Sequence, residues 1–413
     1  MRDSAGQRLR RWVTYRAVSA AIHQPGSLRR LAALVQRYAW IGRALKVVAS
    51  RDDVVAVFRR QAAFSCTAHR PNLVAGDFAI GMAAGPRHGD DRRLLHDQLP
   101  SSVDFADRAA EEGRRRVTAL LAGPVRRFDL IEDYMVPVVW NAMGGAFGGS
   151  LPPLQPGDPL FGHLRYIGAH LIVGAAATES VQRRARESGA ALNAWVRARL
   201  EPLQLAWRRP GVDQREHVAR NAVGMLWVGH PATVQGGALV MQELLARRAV
   251  LRQLVLNIEW ARGGRLSNPE LREVVKNHVL ELLRFRPPFP ILRRDVVRDT
   301  LYGTDGAGRA GGGSQLTLLI LGALFDPAAQ LNASCKPSEY RPGRAFREAD
   351  DRYLIFGVGA RQCIARDQVI ETLVSALICL LELPNLRWAD PWWRRMRYDG
   401  PIVSSMRLAF DSR

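Results

Sequence analysis

Lysine is nearly absent from this chain of 413 residues; Lys46, Lys276 and Lys336 are its only lysines, so the net charge of +20 is carried by arginine. Cysteine is scarce as well. Cys66, Cys335, Cys363 and Cys379 stand singly, without a Cys-x-x-Cys or His-x-x-x-His spacing, which excludes a disulfide framework and a zinc finger. No apolar run approaches the roughly 18 residues of a membrane span. The longest, 316–325, is far too short. The opening Met1-Arg2-Asp3-Ser4 leads through Arg8, Arg10 and Arg11 into a mixed segment without the apolar stretch and cleavage site of a signal peptide, so a cytoplasmic protein with no membrane partner is expected.

With 47% hydrophobic residues, the chain has material for a large core. A basic surface attracts nucleic acid, anionic lipid or an acidic protein. The arginines here are spread out, the run Arg114-Arg115-Arg116 follows Glu111-Glu112 as on a solvated helix, and no aromatic stripe is interleaved with them. No nucleic-acid partner is therefore expected.

Helical periodicity runs through 29–43, 86–99, 104–121, 191–200, 215–247, 268–285 and 366–383; strand-like runs are fewer, at 44–48, 296–301, 316–321 and 402–408. The balance predicts a mainly α protein with small β-sheets (α+β), read as a single large domain over 1–413 without internal repeats or a separate reductase domain. Gly306-Ala307-Gly308-Arg309-Ala310-Gly311 fits Gly-x-Gly-x-x-Gly, but it precedes a strand-like run and not a helix, and so reads as a flexible turn. Cys379, in the apolar stretch 373–383, reads as core.

Cys363 has a different setting. In Phe356-Gly357-Val358-Gly359-Ala360-Arg361-Gln362-Cys363-Ile364-Ala365 a glycine-rich loop delivers one thiol to the start of an apolar helix. Glycines let a backbone pass close to a flat cofactor, and amides at a helix start favour a thiolate. Upstream, Glu281 and Arg284 lie three apart on one helical face. His88 and Arg92 lie one helical turn apart and can address the same anion.

The cysteine run resembles the signature Phe-x-x-Gly-x-Arg/His-x-Cys-x-Gly/Ala of the cytochrome P450 family at Phe356, Gly359, Arg361, Cys363 and Ala365. Further matches follow in family order. They are Glu281-x-x-Arg284, Pro287-Pro288 with Arg293-Arg294, Phe325-Asp326-Pro327, and the run Pro337 to Arg344. The resemblance implies haem b, ligated by Cys363 as the metal ligand, with His88, Arg92, Arg294 and Arg361 on the propionates. It also implies that Arg344 joins Glu281 and Arg284 in a buried charge network fixing the cysteine-loop region.

The distal run Trp227-Val228-Gly229-His230-Pro231-Ala232-Thr233 is similar to the family's Ala-Gly-His-Glu-Thr-Thr, with the acid replaced by Pro231 and the first threonine by Ala232. Thr233 is then the catalytic hydroxyl and His230 a candidate proton relay, an obstacle to ligands, or a ring pointing away from the haem. Proline inside a helix removes an N–H, so a kink and a freed Trp227 carbonyl are expected. An apolar pocket is expected from Phe78, Ile80, Trp227, Val228, Ile291 and Ile402, the last in Gly400-Pro401-Ile402-Val403, which resembles the family's final substrate-lining turn.

What the resemblance implies is a monooxygenase inserting one oxygen atom into an apolar small molecule, with electrons from an acidic ferredoxin-type donor docking near Arg361 and Arg366. The departures at Pro231 and Ala232 keep two further readings open. One is a haem-thiolate isomerase, dehydratase or peroxygenase acting without external electrons; the other is a non-catalytic haem-binding homologue.

Overall fold

The computed structural model describes residues 5–66, 85–149, 151–153, 157–173, 178–199, 215–331 and 335–412. Its N-terminal helices are α1 (Ala5–His23), α2 (Pro25–Arg37), α3 (Ala39–Leu45) and α4 (Arg51–Arg59). Then come α5 (Pro86–Gln98), α6 (Ser102–Ala122), α7 (Val136–Gly144), α8 (Pro159–Val173) and α9 (Glu179–Arg197). The C-terminal half contributes α10 (Arg215–Ala246), α11 (Arg248–Arg262), α12 (Asn268–Phe285), the short α13 (Ile320–Leu324) and α14 (Arg366–Leu380).

The central bundle forms around α6, α10, α12 and α14, whose apolar faces share one core with α7 and the π-helical turn Leu130–Met135. Local sequence sets the ends. Ser101 and Asp104 form a reciprocal capping box on α6, and Ser267 and Glu270 do the same on α12, satisfying N–H groups that a helix start leaves unpaired. Long α10 lies in the middle, its positions 218–223 almost wholly buried.

Among the described residues three small sheets flank the helices. In the first, β1 (Val47–Val48) pairs parallel with β7 (Gln315–Leu319), which pairs antiparallel with β4 (Ile291–Val296), and β4 with β2 (Phe64–Ser65). The second has β10 (Ile402–Ala409) between β3 (Arg127–Asp129) and β8 (Arg387–Trp388), with β9 (Met396–Asp399) also paired to β10. The third is the hairpin β5 (Thr300–Tyr302) and β6 (Gly308–Ala310).

Several boundaries differ from the sequence pattern. The run 29–43 is two helices, broken at Tyr38 (φ −124°, ψ 80°). The run 296–301 is not one strand: β4 ends at Val296, and the chain turns at 297–299 before β5. Asp299 stabilises that turn by accepting the Gly312 N–H at 2.7 Å. The run 316–321 changes state midway, β7 passing into α13 at Ile320, because residues buried on every side carry no period to separate strand from helix. The segment around Gly306 closes the β5–β6 hairpin and opens no helix. Helix α10 runs uninterrupted through Pro231, where a kink is expected from the sequence.

Candidate functional site around Cys363

The cysteine loop leaves the 3-10 turns of 349–356 and enters α14 at Arg366. Gly357 (φ +72°) and Gly359 (φ +74°) hold left-handed conformations that side chains rarely adopt, and the fold closes when the Cys363 N–H donates to Phe356 O at 2.9 Å. Cys363 sits deep within the fold, yet its side chain is accessible, so the thiol faces interior space and is not packed against neighbours. Burial pushes its pKa up, opposed by the Ala365 N–H and by the positive charges of Arg92 and Arg366. Cys379, by contrast, is core, its Sγ 3.6 Å from Ala110 O.

Two arginines and a neutral imidazole converge on that space. His88 is buried at the start of α5, and its pKa is lowered to about 4 by burial and then by the charges of Arg361 and Arg92. Arg92, one turn on, is held down by burial and by Arg361, while the Cys363 sulfur acts in the opposite direction. The intervening Asp91 is turned away, forming a buried pair with Arg220 of α10 at 2.8–2.9 Å that fixes α5 on the central helix. Arg361 reaches Cys66 Sγ at 3.1 Å. Arg294 on β4 lies over the Phe58 ring at 5.1 Å, and a Cβ on Gly357 would lie 4.0 Å from that ring. A rim of His88, Arg92 and Arg361 beside an accessible thiol fits a flat group that offers iron to sulfur and two carboxylates to the guanidinium groups and the imidazole N–H.

Behind the loop, Glu281 and Arg284 pair through two hydrogen bonds at 2.8 and 2.9 Å, both side chains buried. Arg344 Nη2 lies 3.4 Å from the same carboxylate, and the Arg341 N–H donates to it at 2.9 Å. Arg344 also donates to Gln330 Oε1 at 3.0 Å and to Glu339 O. The three side chains thus tie α12 to the segment 330–344 that precedes the cysteine loop.

Helix α10 lines a cavity. The lining comprises Val228, Pro231, Ala232 and Gln235 of this helix, with Gly168 of α8 and with Pro288, Phe289 and Ile402. Gly168 is required there, since a Cβ in its place would lie 2.9 Å from the Pro231 ring. Val228 and Ile402, both read from sequence, line the cavity. Trp227 does not; it is wholly buried in the main core. Ile291 packs in a separate cluster beside α2 and β7. Phe78 and Ile80 lie outside the described residues.

Neither catalytic candidate faces this cavity. Thr233 is buried with its hydroxyl donating to Gly229 O at 2.8 Å, one turn back on its own helix. His230 points into the core, its Nε2 3.2 Å from Val136 O, its ring stacked on Phe161 at 5.5 Å and edge-on to Trp140. This geometry directs the ring into the core and away from the cavity. Burial lowers its pKa to about 4, so it is neutral at pH 7. Gln235, which sequence reasoning missed, holds the facing turn: it accepts the Val403 N–H at 2.9 Å and donates to Pro401 O at 3.4 Å. No local motif signals it, because its partners lie more than 160 residues away.

No family model matches the chain, and no curated relative matches it in sequence. Solved structures do. CalO2 superposes with a TM-score of 0.74 at 20% identity, covering 95% of this chain and 97% of that one. The open cytochrome P450 EryK from S. erythraea gives 0.72 at 20% identity over 94% and 97%. P450BioI, solved in complex with an acyl carrier protein ligated to hexadec-9Z-enoic acid, gives 0.72 at 15% identity over 96% and 100%. The mainly helical architecture with its small sheets follows these structures along nearly the whole chain, and the chain has the cytochrome P450 fold.

Proposed function

We propose that this chain is a haem-thiolate enzyme that binds haem b through Cys363 and transfers one oxygen atom to an apolar small molecule, drawing electrons from a separate donor. The observation that carries the reading is the accessible Cys363 thiol inside the fold with His88, Arg92 and Arg361 converging beside it. The bound haem supplies the redox chemistry at its iron, tuned by the electron-rich sulfur. His88, Arg92 and Arg361 hold its propionates, and Arg294 contributes charge from β4. The Cys363 N–H bond to Phe356 O fixes the thiolate, and the Glu281–Arg284–Arg344 network keeps the preceding segment in place. On the opposite side Val228, Phe289 and Ile402 exclude water and hold an apolar substrate. Arg361 and Arg366 near the cysteine, with the net charge of +20, favour an acidic ferredoxin-type donor.

A second reading has its own support. Pro231 and Ala232 are the cavity-facing residues of their turn, and Gln235, the one polar side chain among the described lining residues, is engaged by the backbone at Pro401 and Val403. The described wall therefore presents no acid or hydroxyl to deliver protons, which favours chemistry driven by peroxide or by a pre-activated substrate, without external electrons.

The reduced carbon-monoxide difference spectrum of the purified protein tests the primary claim. A red-shifted thiolate band that is lost in Cys363→Ala supports it, and a wild-type protein without that band sinks it. Turnover with a reductant and oxygen, compared with peroxide alone, separates the two readings.

A further inference from the structure

The first helices carry a surface that the haem-thiolate reading does not use. Residues 1–46 contain nine arginines and Lys46 against a single acid, Asp3. Half of the exposed large apolar residues among those described also fall here. On α1, Leu9, Trp12 and Val13 are 51–62% exposed, with Arg16 one turn on and its guanidinium over the Trp12 ring at 5.8 Å. On α2, Leu31 and Leu34 share the exposed face with Arg30 and Arg37, while Leu28, Ala32 and Val35 are buried on the other. Tyr38 (41% exposed), Trp40 (64%) and Leu45 (59%) extend the patch through α3, and Arg37 lies over Tyr38 at 5.4 Å. The three helices pack consecutively on one another.

We infer that α1–α3 form a docking surface for an anionic lipid bilayer, on which the protein rests without spanning it. Scattered single apolar residues are ordinary on a soluble surface, but a concentration of tryptophan, tyrosine and leucine among arginines is not. Tryptophan and tyrosine favour the headgroup boundary, leucine buries just below it, and each nearby cation adds about 1 kcal/mol of attraction to an anionic leaflet. A nucleic-acid duplex would satisfy the arginines through its phosphates and leave the exposed leucines Leu31, Leu34 and Leu45 without a counterpart. The face revises the expectation of no membrane partner, and its aromatic residues stand beside arginines already in the sequence, at Arg11-Trp12, Tyr15-Arg16 and Arg37-Tyr38. Among the described residues no helix is long and apolar enough to cross a bilayer, which limits the contact to the surface.

The test is sedimentation of the full-length protein with vesicles of phosphatidylcholine alone and of equal parts phosphatidylcholine and phosphatidylglycerol. Binding to the phosphatidylglycerol vesicles, weakened by salt and lowered at least about tenfold in Trp12→Ser/Trp40→Ser and in Leu31→Ser/Leu34→Ser, supports the inference. All four positions are exposed, so an unchanged thermal midpoint accompanies the loss. The inference is overturned if the protein stays in the supernatant, or if Arg30→Glu/Arg37→Glu abolishes sedimentation while the apolar variants bind as wild type. Preference for a DNA duplex over the vesicles overturns it as well.

Discussion

Gln235 on α10 accepts a hydrogen bond from the Val403 N–H at 2.9 Å, joining the distal helix to the turn that carries Ile402 into the cavity. The amide is 2% exposed, and its nitrogen donates to Pro401 O, so one side chain satisfies two backbone groups of that turn. Gln235→Leu leaves the buried Val403 N–H without a partner, at a cost of about 1–3 kcal/mol. Hydrogen exchange of the peptide containing Val403 should accelerate in Gln235→Leu and much less in Gln235→Glu, which keeps the accepting oxygen. Equal protection in all three proteins would remove this role.

Ala232 is the cavity-facing residue at which the family pattern has a hydroxyl. Under the oxygen-transfer reading, Ala232→Thr places a proton-donating group on the cavity wall and should raise oxygen- and reductant-dependent turnover several-fold relative to peroxide-driven turnover. Thr233→Val, removing a hydroxyl already bonded to Gly229 O, should change that ratio little. Product formation per electron consumed measures both.

Removing the carboxylate from the buried network has a sharper cost than shortening a surface pair. Glu281→Gln leaves Arg284 and Arg344 buried without their negative partner, and about 3–5 kcal/mol of stability should be lost. Urea unfolding of the haem-loaded protein reads the loss directly. A midpoint within error of wild type would show that the backbone carbonyls around Arg344 suffice.

His230 gives a prediction with a definite sign. Its pKa falls from 6.5 in the unfolded chain to about 4 in the fold, so between these values the unfolded state binds the extra proton and stability drops as pH falls. The effect is worth up to about 3 kcal/mol. His230→Phe, packed between Phe161 and Trp140, should flatten the acid side of the stability profile while leaving turnover intact. His88 and His278, also at about 4, retain their own share of the slope. A large loss of turnover in His230→Phe would contradict the placement of the ring away from the cavity.

Much of this was legible along the chain, for physical reasons. The thiol-bearing loop needs glycines at fixed offsets, because Gly357 and Gly359 take positive φ, and that requirement is written locally. The pairing of Glu281 with Arg284 follows from helix geometry three residues apart, and the long amphipathic segments at 104–121, 268–285 and 366–383 have caps or apolar faces that fix them as helices. Helices α1, α4, α8 and α11 were not legible. In α8 the residues facing the core and those facing the cavity are apolar alike, so no period stands out.

Side-chain direction on α10 was decided only by packing. Sequence places Val228, His230, Ala232 and Thr233 within two turns of one helix. Which of them meets the cavity depends on the angle at which α7 and α8 press against it, putting Phe161 and Trp140 on the His230 side and Gly168 on the Pro231 side. The sequence by itself determined that a thiol stands ready in a glycine loop with a carboxylate–arginine pair on the helix upstream, because both depend on neighbours a few residues away. Tertiary structure decided the rest: among the described residues the cavity lining carries no hydroxyl, and Gln235 clamps Val403, since each of these relationships joins surfaces whose orientation only the packed fold sets.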